Sequence, residues 1–331
     1  MIDKFIANLP KAELHLHIEG TFEPELIFKM ADRNKIKLPY VSVESLREAY
    51  QFTDLQSFLN LYYACMNVLR TEEDFAELAN AYFEKASKHN VVHAEIFFDP
   101  QAHTQRGVPF RTVIDGLWAA VKDSKKNFGI TSKMIMCFLR DLSAESAMEI
   151  LDQAIPFGER IVAVGLDSAE RGNPPSKFVD VFAKARAAGF EATAHAGEEG
   201  PAEYVWEALN ILKVKRIDHG VRSMEDAKLV QHLVESAIPL TVCPLSNIKL
   251  RVFDQMKDHN VKKMLDAGLK ATINSDDPAY FGGYIGENFR SISEALDLKQ
   301  EDLKTLAMNS INASFLSPSE RLEYLALFAN N

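Results

Sequence analysis

Short β-like runs, the first of which alternates apolar and polar residues, recur along the whole chain, and stretches with helical periodicity separate them. Alternation places successive side chains on opposite faces of a strand, whereas a helix brings residues three or four positions apart onto one face. These patterns predict eight strands, at 12–18, 91–98, 133–139, 161–167, 191–197, 216–221, 239–245 and 270–276. Strands that alternate with helices pair in parallel, and eight such units predict a (β/α)8 TIM barrel of the α/β class.

The interval between the first two predicted strands is much longer than the others. Residues 19–90 carry several helical patterns, among them "TDLQSFLNLYYACMNVLR" and "TEEDFAELANAYFEKASKHN". Extra helices after strand one would lie over the carboxyl-end face of the barrel, where barrel enzymes have their active sites. They would either cover such a site as a lid or only pack on the flank of the barrel. We predict one barrel domain over residues 1–331, with a helical insertion at about 19–90.

Composition and charge narrow the class of protein. The 331 residues are 47% hydrophobic and 25% charged, which is ordinary for a globular protein, and the formal net charge is −10. An acidic surface disfavours nonspecific binding to nucleic acids and anionic membranes. Because the sequence has no leader and no apolar run of about 20 residues, we expect a cytoplasmic protein without a membrane or nucleic-acid partner. The sequence leaves the oligomeric state open, and the cysteines, which form no CxxC pair, are expected to be buried and reduced: Cys65, Cys137 and Cys243.

The first predicted strand, in "KAELHLHIEG" (11–20), alternates apolar residues with histidines and glutamates. Its polar face carries Glu13, His15, His17 and Glu19, and the apolar face opposite suits the interface with the outer helices. The polar face then points into the barrel, where polar side chains without partners are costly to bury. A divalent metal ion removes this cost, because the neutral imidazole is a common metal ligand.

The ends of three further predicted strands carry groups of the same kind. Strand five ends in "HAGEEG", strand six in "RIDHG" and strand eight in "NSDDP", and the carboxyl ends of barrel strands meet at one rim. Nitrogen and oxygen ligands without a thiolate suit Zn²⁺ with an open position for water, although Fe²⁺ and Mn²⁺ accept the same ligand types. We predict these metal ligands: His15, His17, His195 and Asp276.

Three more polar residues at the same strand ends are not needed to hold a metal ion: Glu198, His219 and Asp277. A carboxyl group and an imidazole beside a metal site are what the activation of water and the transfer of protons require. A structural metal site would more often be closed and rich in cysteine. The pattern therefore favours a hydrolytic enzyme over a structural metal protein.

Five motifs in this order, "KAELHLHIEG", "HAGEEG", "RIDHG", "CPLSN" and "NSDDP", resemble those of the adenosine/adenine deaminase family. The resemblance covers nearly the whole chain, from residue 11 to about residue 316. It implies a zinc-dependent (β/α)8 barrel that replaces the 6-amino group of a purine by oxygen and releases ammonia. It also implies that one zinc ion per chain is bound by His15, His17, His195 and Asp276.

The resemblance further implies a role for each remaining residue of the pattern. Glu198 would protonate N1 of the purine while water attacks C6, so it must carry a proton when the substrate is bound. His219 would orient the water and help to remove its proton, with Asp276 as its hydrogen-bond partner. Asp277 would form a hydrogen bond with N7.

Two sequence differences bear on the substrate. The chain reads "HIEGT" (17–21) where adenosine-specific members have a sequence like "HLDGA", and "GLDSAE" (165–170) where they have a loop like "AGDE". Both variants, like "HAEIFFDPQ" (93–101), resemble the adenine deaminase branch found in bacteria and fungi. The resemblance therefore implies that adenine, a small purine base, is converted to hypoxanthine and ammonia in purine salvage.

In this interpretation Glu19 either accepts a hydrogen bond from N9–H of the base or fills the space that a ribose needs. Ser168 would line the N3 edge of the purine. The alternatives are a deaminase of adenosine or of N6-modified adenine nucleosides, and a catalytically inactive barrel that binds purines.

Overall fold

The computed structural model describes residues 2–330, in which eight parallel strands pair in the order of the sequence. Helices connect each strand to the next, so the predicted (β/α)8 barrel is confirmed. The strands are β1 Lys11–His17, β2 Val91–Phe98, β3 Thr131–Leu139, β4 Ile161–Asp167, β5 Glu191–Ala196, β6 Arg216–His219, β7 Pro239–Val242 and β8 Lys270–Ile273.

The barrel closes where the chain after β8 turns back onto β1. The His17 N–H donates to the Asp276 carbonyl oxygen at 3.0 Å, and the Asp276 N–H donates to the His15 carbonyl oxygen at 3.0 Å. The buried Glu13 carboxylate adds to this contact by accepting the Ser275 N–H at 2.9 Å. The closure therefore fixes Asp276 beside both histidines of β1.

Several predicted strand bounds are wrong, mostly at carboxyl ends, since β6, β7 and β8 are shorter than predicted and end at His219, Val242 and Ile273. At β6 the backbone is the reason, because His219 and Gly220 have φ angles of +64° and +69°, which no strand can continue. After β7, Pro244 begins a helix instead. At the other end, β3 begins two residues before the predicted 133–139, at Thr131.

Helices follow the strands and cover the outside of the barrel. Within the described residues, none of them is both long and apolar enough to cross a membrane. The α-helices are α1 Ile2–Asn8, α2 Pro24–Arg33, α3 Val43–Glu48, α4 Leu55–Cys65, α5 Glu72–Lys88, α6 Pro100–Thr104, α7 Phe110–Val121, α8 Ser124–Phe128, α9 Ala144–Ala154, α10 Val179–Ala187, α11 Ala202–Glu207, α12 Ala227–Ser236, α13 Pro244–Lys249, α14 Val261–Asp266, α15 Pro278–Phe281, α16 Ile285–Leu296, α17 Gln300–Ala313 and α18 Pro318–Ala326.

Shorter helical turns join these elements. A π-helical turn, Ala208–Leu212, continues α11. The 3-10 turns are Glu19–Thr21, Met66–Val68, Ile155–Phe157, Pro175–Phe178, Val221–Glu225, Met256–Asp258 and Leu327–Asn330. The cysteines are free and buried, as the sequence predicts.

Helices α2 to α5 lie between β1 and β2. Helix α4 begins after Asp54, whose side chain accepts the Ser57 N–H at 2.8 Å and so caps the helix. Its Phe58 ring lies 4.6 Å from the ring of Phe281, which belongs to the helix that follows β8. This aromatic contact ties α4 to the mouth of the barrel. The organisation as one domain with a helical insertion stays a prediction.

Candidate active site

Three imidazoles predicted as metal ligands meet at the carboxyl-end rim of the barrel. The His15 Nδ1 lies 3.1 Å from the Thr241 carbonyl oxygen, to which it donates when that nitrogen carries the proton. Its buried Nε2 then has no hydrogen-bond partner and lies 3.3 Å from Asp276 Oδ1. The Nε2 atoms of His17 and His195 face each other at 3.1 Å, and the His17 Nε2 is 3.4 Å from the same oxygen. Ring nitrogens that converge on one carboxylate are the donor set of a divalent metal ion.

His219 lies as close to this group as its members lie to one another. Four buried side chains each offer a ligand atom within 4.8 Å of the others: His15, His195, His219 and Asp276. The donors are nitrogen and oxygen, as for Zn²⁺ and similar ions, and no thiolate takes part. The residues present therefore fit a metal ion, and the chain has a buried histidine and aspartate group that can bind one.

A chain of hydrogen bonds behind the rim fixes the tautomer of His219. Burial lowers the pKa of His259 to about 3, so its ring is neutral, and its Nδ1 accepts the Val261 N–H at 3.2 Å. The proton of His259 is therefore on Nε2, which lies 3.2 Å from Asn247 Oδ1. The Asn247 amide nitrogen in turn lies 3.4 Å from His219 Nδ1. Nδ1 therefore accepts, and the His219 proton is on Nε2, which points at Glu198 Oε1 at 3.5 Å.

A second carboxylate holds the loop that carries Glu198. The Glu170 side chain accepts the backbone N–H groups of four consecutive residues, 197–200, at distances of 2.6 to 3.1 Å. Burial, together with the negative charges of Asp276 and Glu170, raises the pKa of Glu198 well above its usual range. Burial therefore favours the carboxyl form of Glu198, which can donate a proton to a bound molecule.

Asp277 lies on the pocket wall next to Asp276, and its packing explains the glycine of "HIEG". A Cβ atom on Gly20 would lie 2.0 Å from Asp277 Oδ1 and 2.7 Å from its Cα atom, closer than any real Cβ contact. Burial and the neighbouring Asp276 raise the pKa of Asp277 well above its usual range. Its Oδ1 is buried without a hydrogen-bond partner, and the residue lines the pocket.

Helix α4 covers the pocket from the solvent side with the side chains of Leu55, Phe58, Leu59, Tyr62 and Tyr63. The Tyr63 hydroxyl donates to Ser168 Oγ at 3.0 Å, so α4 reaches the loop after β4. Ser168 lines the pocket and adopts a left-handed φ of +72°, which is uncommon for a residue with a side chain. The predicted place of Ser168 at a purine edge stays a prediction.

Two aspartates that the sequence patterns did not single out also line the pocket. Asp167 is the last residue of β4 and Asp99 follows β2, and each is 1% exposed. Asp167 Oδ2 lies 3.4 Å from His17 Nδ1, the nitrogen that faces away from the other histidines. Burial raises the pKa of Asp167 to about 7, and burial next to the Asp167 charge raises that of Asp99 well above its usual range. Their position at strand ends is the signal that could have found them.

Glu19 lies behind Asp99. It is not one of the described residues that line the pocket. Its buried Oε1 accepts from His103 Nε2 at 2.8 Å and from the Asp99 N–H at 3.2 Å. His103 Nδ1 in turn lies 2.6 Å from an Arg106 guanidinium nitrogen. The predicted role of Glu19, contact with N9–H of the base or filling of the space that a ribose needs, stays a prediction.

The profile described as Adenosine deaminase matches residues 10–329 of the chain. The chain belongs to the adenosine deaminase family. A member of the family from Crocosphaera subtropica, named adenine deaminase, is 61% identical over 316 residues, which are 96% of this chain and 97% of that protein. The family that the five motifs predict is thus confirmed.

Solved structures of relatives share the fold along nearly the whole chain. The crystal structure of an adenine deaminase from Arthrobacter aurescens has a TM-score of 0.96 and 53% identity, covering 97% of this chain and 98% of that chain. An amidohydrolase from Burkholderia ambifaria, solved with bound zinc, has a TM-score of 0.91 and 27% identity, covering 99% and 92% of the two chains.

Proposed function

We propose that the protein is an adenine deaminase, which hydrolyses adenine to hypoxanthine and ammonia and so serves purine salvage. The observation that carries this proposal is the buried carboxyl group of Glu198, 3.5 Å from His219 Nε2, beside a cluster of convergent imidazoles. Such a pair of features suits the attack of water on a ring carbon next to a ring nitrogen that must be protonated. The choice of adenine is supported by relatives named adenine deaminase that are 55% to 61% identical over almost their full length.

The metal ion is proposed to be zinc, one per chain, held by His15, His17, His195 and Asp276. When bound, it would lower the pKa of a coordinated water to roughly 7 and make a nucleophile available at neutral pH. The second ring nitrogens of His15 and His17 support this assignment. His15 Nδ1 meets the Thr241 carbonyl oxygen and His17 Nδ1 meets Asp167, as expected of metal-binding histidines whose orientation is fixed from behind.

The proton steps follow from the residues on the other side of the pocket. Glu198 would donate its proton to N1, so that no negative charge develops on the ring while water adds to C6. His219, with its proton on Nε2, would hold the attacking water by donating a hydrogen bond. The Asp276 Oδ2, which is 3.6 Å from that nitrogen, would take the proton that the water releases. Asp277 would bind the N7 edge of the base.

The activity can be tested with the purified protein and a panel of purines. Adenine, adenosine, AMP, N6-methyladenine and guanine are each incubated with the enzyme, and ammonia release is measured. We expect adenine to be the preferred substrate, and we expect a chelator to abolish ammonia release while circular dichroism and the melting curve show a folded protein. Added Zn²⁺ should restore the activity. A preference for adenosine, or no ammonia from any purine, would contradict the proposal.

Glu198→Gln tests the proton donor separately from the metal site. The amide keeps the size of the side chain but has no proton to transfer, so turnover of adenine should fall by about 10²- to 10⁴-fold. Metal content, measured by mass spectrometry, should not change, because Glu198 is not a proposed ligand. Near-normal turnover of this variant would rule out the proposed role.

A further inference from the structure

The Asp99–Asp167 pair is a buried acceptor surface that the proposed proton steps do not use. Both side chains are 1% exposed, and both line the pocket. Asp99 Oδ1 and Asp167 Oδ1 have no hydrogen-bond partner by geometry among the described residues, and Asp167 Oδ2 lies 3.4 Å from His17 Nδ1. Buried acceptors without donors are costly, so the pair is expected to meet a donor on the molecule that enters the pocket.

A second metal ion is a poor occupant for this surface. Among the described residues that could hold a metal ion together with the pair, His17 supplies the nitrogen: its Nδ1 faces Asp167, while Nε2 of the same ring faces His195 and Asp276. A neutral imidazole whose Nε2 binds a metal ion carries its proton on Nδ1, and this N–H donates to Asp167. The pair then has acceptors to offer and no further ligand nitrogen. A neutral molecule with an N–H group fits this chemistry better.

The two groups of polar residues lie on different sides of His17. One group contains His17, Asp276 and Asp277, and the other contains His17, Asp99 and Asp167, with ligand atoms within 4.8 Å of one another in each group. If Asp277 binds the N7 edge of the base, as proposed above, N9, the other nitrogen of the same five-membered ring, reaches Asp99 and Asp167. In a free purine this nitrogen carries a proton, whereas in a nucleoside it carries the sugar.

We propose that Asp99, together with Asp167, accepts the N9–H of the free base and thereby selects free adenine against purines that are substituted at N9. The inference deepens the proposed adenine deaminase activity and rests on it. A substituent at N9 would remove the donor and would also point at two buried carboxyl groups. Sites that hydrogen-bond a substrate group can reject an analogue without that group by about 10⁴-fold or more, since their buried polar atoms are left unpaired.

Glu19 and His103 act as positioning residues in this arrangement. The Glu19 Oε1 accepts the Asp99 N–H at 3.2 Å and binds His103 Nε2 at 2.8 Å, and the three residues are buried. These two hydrogen bonds fix the backbone at the end of β2, so the Asp99 side chain enters the pocket at one place. The longer carboxylate of "HIEG" therefore acts on selectivity through Asp99.

The test compares adenine with 9-methyladenine, which lacks the N9–H but keeps the amino group that reacts. For the unaltered enzyme we expect kcat/KM to favour adenine strongly. Asp99→Ala should lower kcat/KM for adenine by about 10- to 100-fold, the effect of one hydrogen bond to a charged or buried group, and should not lower it for 9-methyladenine. The ratio of kcat/KM for adenine to kcat/KM for 9-methyladenine then falls by the same factor. Asp99→Asn keeps an acceptor oxygen, so it should retain more of the preference than Asp99→Ala.

Asp141→Ala is the matched control, because it removes a nearby but exposed carboxylate that does not line the pocket. Its preference for adenine should equal that of the unaltered enzyme. Inhibition by purine and by 9-methylpurine, which have no amino group to lose, measures the same selectivity as a binding ratio in any folded variant. Equal losses for both substrates in Asp99→Ala, or an unchanged ratio, would overturn the inference. Failure of the unaltered enzyme on adenine would instead overturn the proposed function.

Discussion

Two clusters of buried polar side chains lie inside the barrel, and they differ in whether their charged and polar atoms have partners. In the deeper cluster, Arg216 Nη1 lies 2.6 Å from Glu95 Oε2 and its Nε lies 3.5 Å from Asp218 Oδ1, with each of the three side chains fully buried. At the rim, buried polar atoms lack hydrogen-bond partners on these side chains: His15, Asp99, Asp167, Glu198 and Asp277. Paired charges hold the barrel together, whereas unpaired ones are available for a metal ion, a water and a substrate.

The same contrast appears in the pKa values of two buried glutamates. Burial opposes the ionisation of Glu95, but the Arg216 charge prevails and lowers the pKa of Glu95 to about 2. Burial and like charges raise the pKa of Glu198 well above its usual range. One side chain is therefore a fixed anion and the other a proton donor, although both are glutamates in the interior of one barrel.

The largest effect on stability is expected in the deeper cluster. Glu95→Ala leaves the buried Arg216 without its main partner, and the free energy of unfolding should fall by about 3–5 kcal/mol. Urea unfolding at 25 °C measures this loss. The double variant Glu95→Leu with Arg216→Met removes both charges and should recover most of it.

A rim variant of similar burial completes this comparison. Asp277→Asn removes a buried carboxyl group that has an unpartnered oxygen, so stability should hold or rise while adenine turnover falls. If Asp277→Asn destabilised the fold as much as Glu95→Ala, the distinction between the two clusters would be lost.

Glu170 both stabilises the fold and holds the loop that carries Glu198. Its substitution should therefore have the next largest effect on stability. Glu170→Gln keeps one acceptor oxygen but places an NH₂ group against the backbone N–H groups of residues 197–200. Unfolding free energy should fall by about 1–3 kcal/mol. Because this loop carries Glu198, kcat for adenine should also fall, by about tenfold or more.

Glu207→Gln is the control: Glu207 accepts one backbone N–H, from Ser176 at 2.9 Å, away from the pocket. Equal kcat values for the two variants would mean that Glu170 does not position Glu198.

The sequence predicts most of the barrel, because short β-like runs alternate with helical patterns along the chain. It does not predict where β6 ends, because the β-like run "RIDHGV" continues past His219 while the backbone there has already turned to a positive φ. Strand ends also locate the histidines and acids of the proposed metal site. The same rule applies to Asp99 and Asp167, neither of which stands next to a histidine in the sequence.

Sequence patterns do not predict contacts between residues that are far apart in the sequence. Glu170 meets a loop that begins 27 positions later, and Asn247 meets His219 across 28 positions. Glu19 was visible in its motif, but its contact with His103, 84 positions away, depends on how the end of β2 folds. Local periodicity carries no information on these contacts, which only the closed barrel brings together.

Gly20→Ala tests how closely the rim is packed around its unpaired groups. The added Cβ would collide with Asp277, so the free energy of unfolding should fall by about 1–3 kcal/mol and KM for adenine should rise. Gly158→Ala is a matched control, since its Cβ would find its nearest neighbour at 3.5 Å. Thermal melts and steady-state kinetics of both variants measure the difference. A neutral Gly20→Ala would show that Asp277 moves without consequence.

The smallest effect is expected in the hydrogen-bond chain that sets the His219 tautomer. His259→Ala frees the Asn247 amide to rotate, and kcat should fall by several-fold, about 1 kcal/mol for one weakened hydrogen bond, with KM unchanged. Asn247→Asp should be more harmful than Asn247→Ala, because a carboxylate at this position accepts a hydrogen bond from Nδ1–H of His219 and so favours the tautomer that has no proton on Nε2. The order of the three kcat values separates a tautomer effect from simple loss of packing, in which Asn247→Ala, the variant with the smallest side chain at this position, would be the worse of the two Asn247 variants.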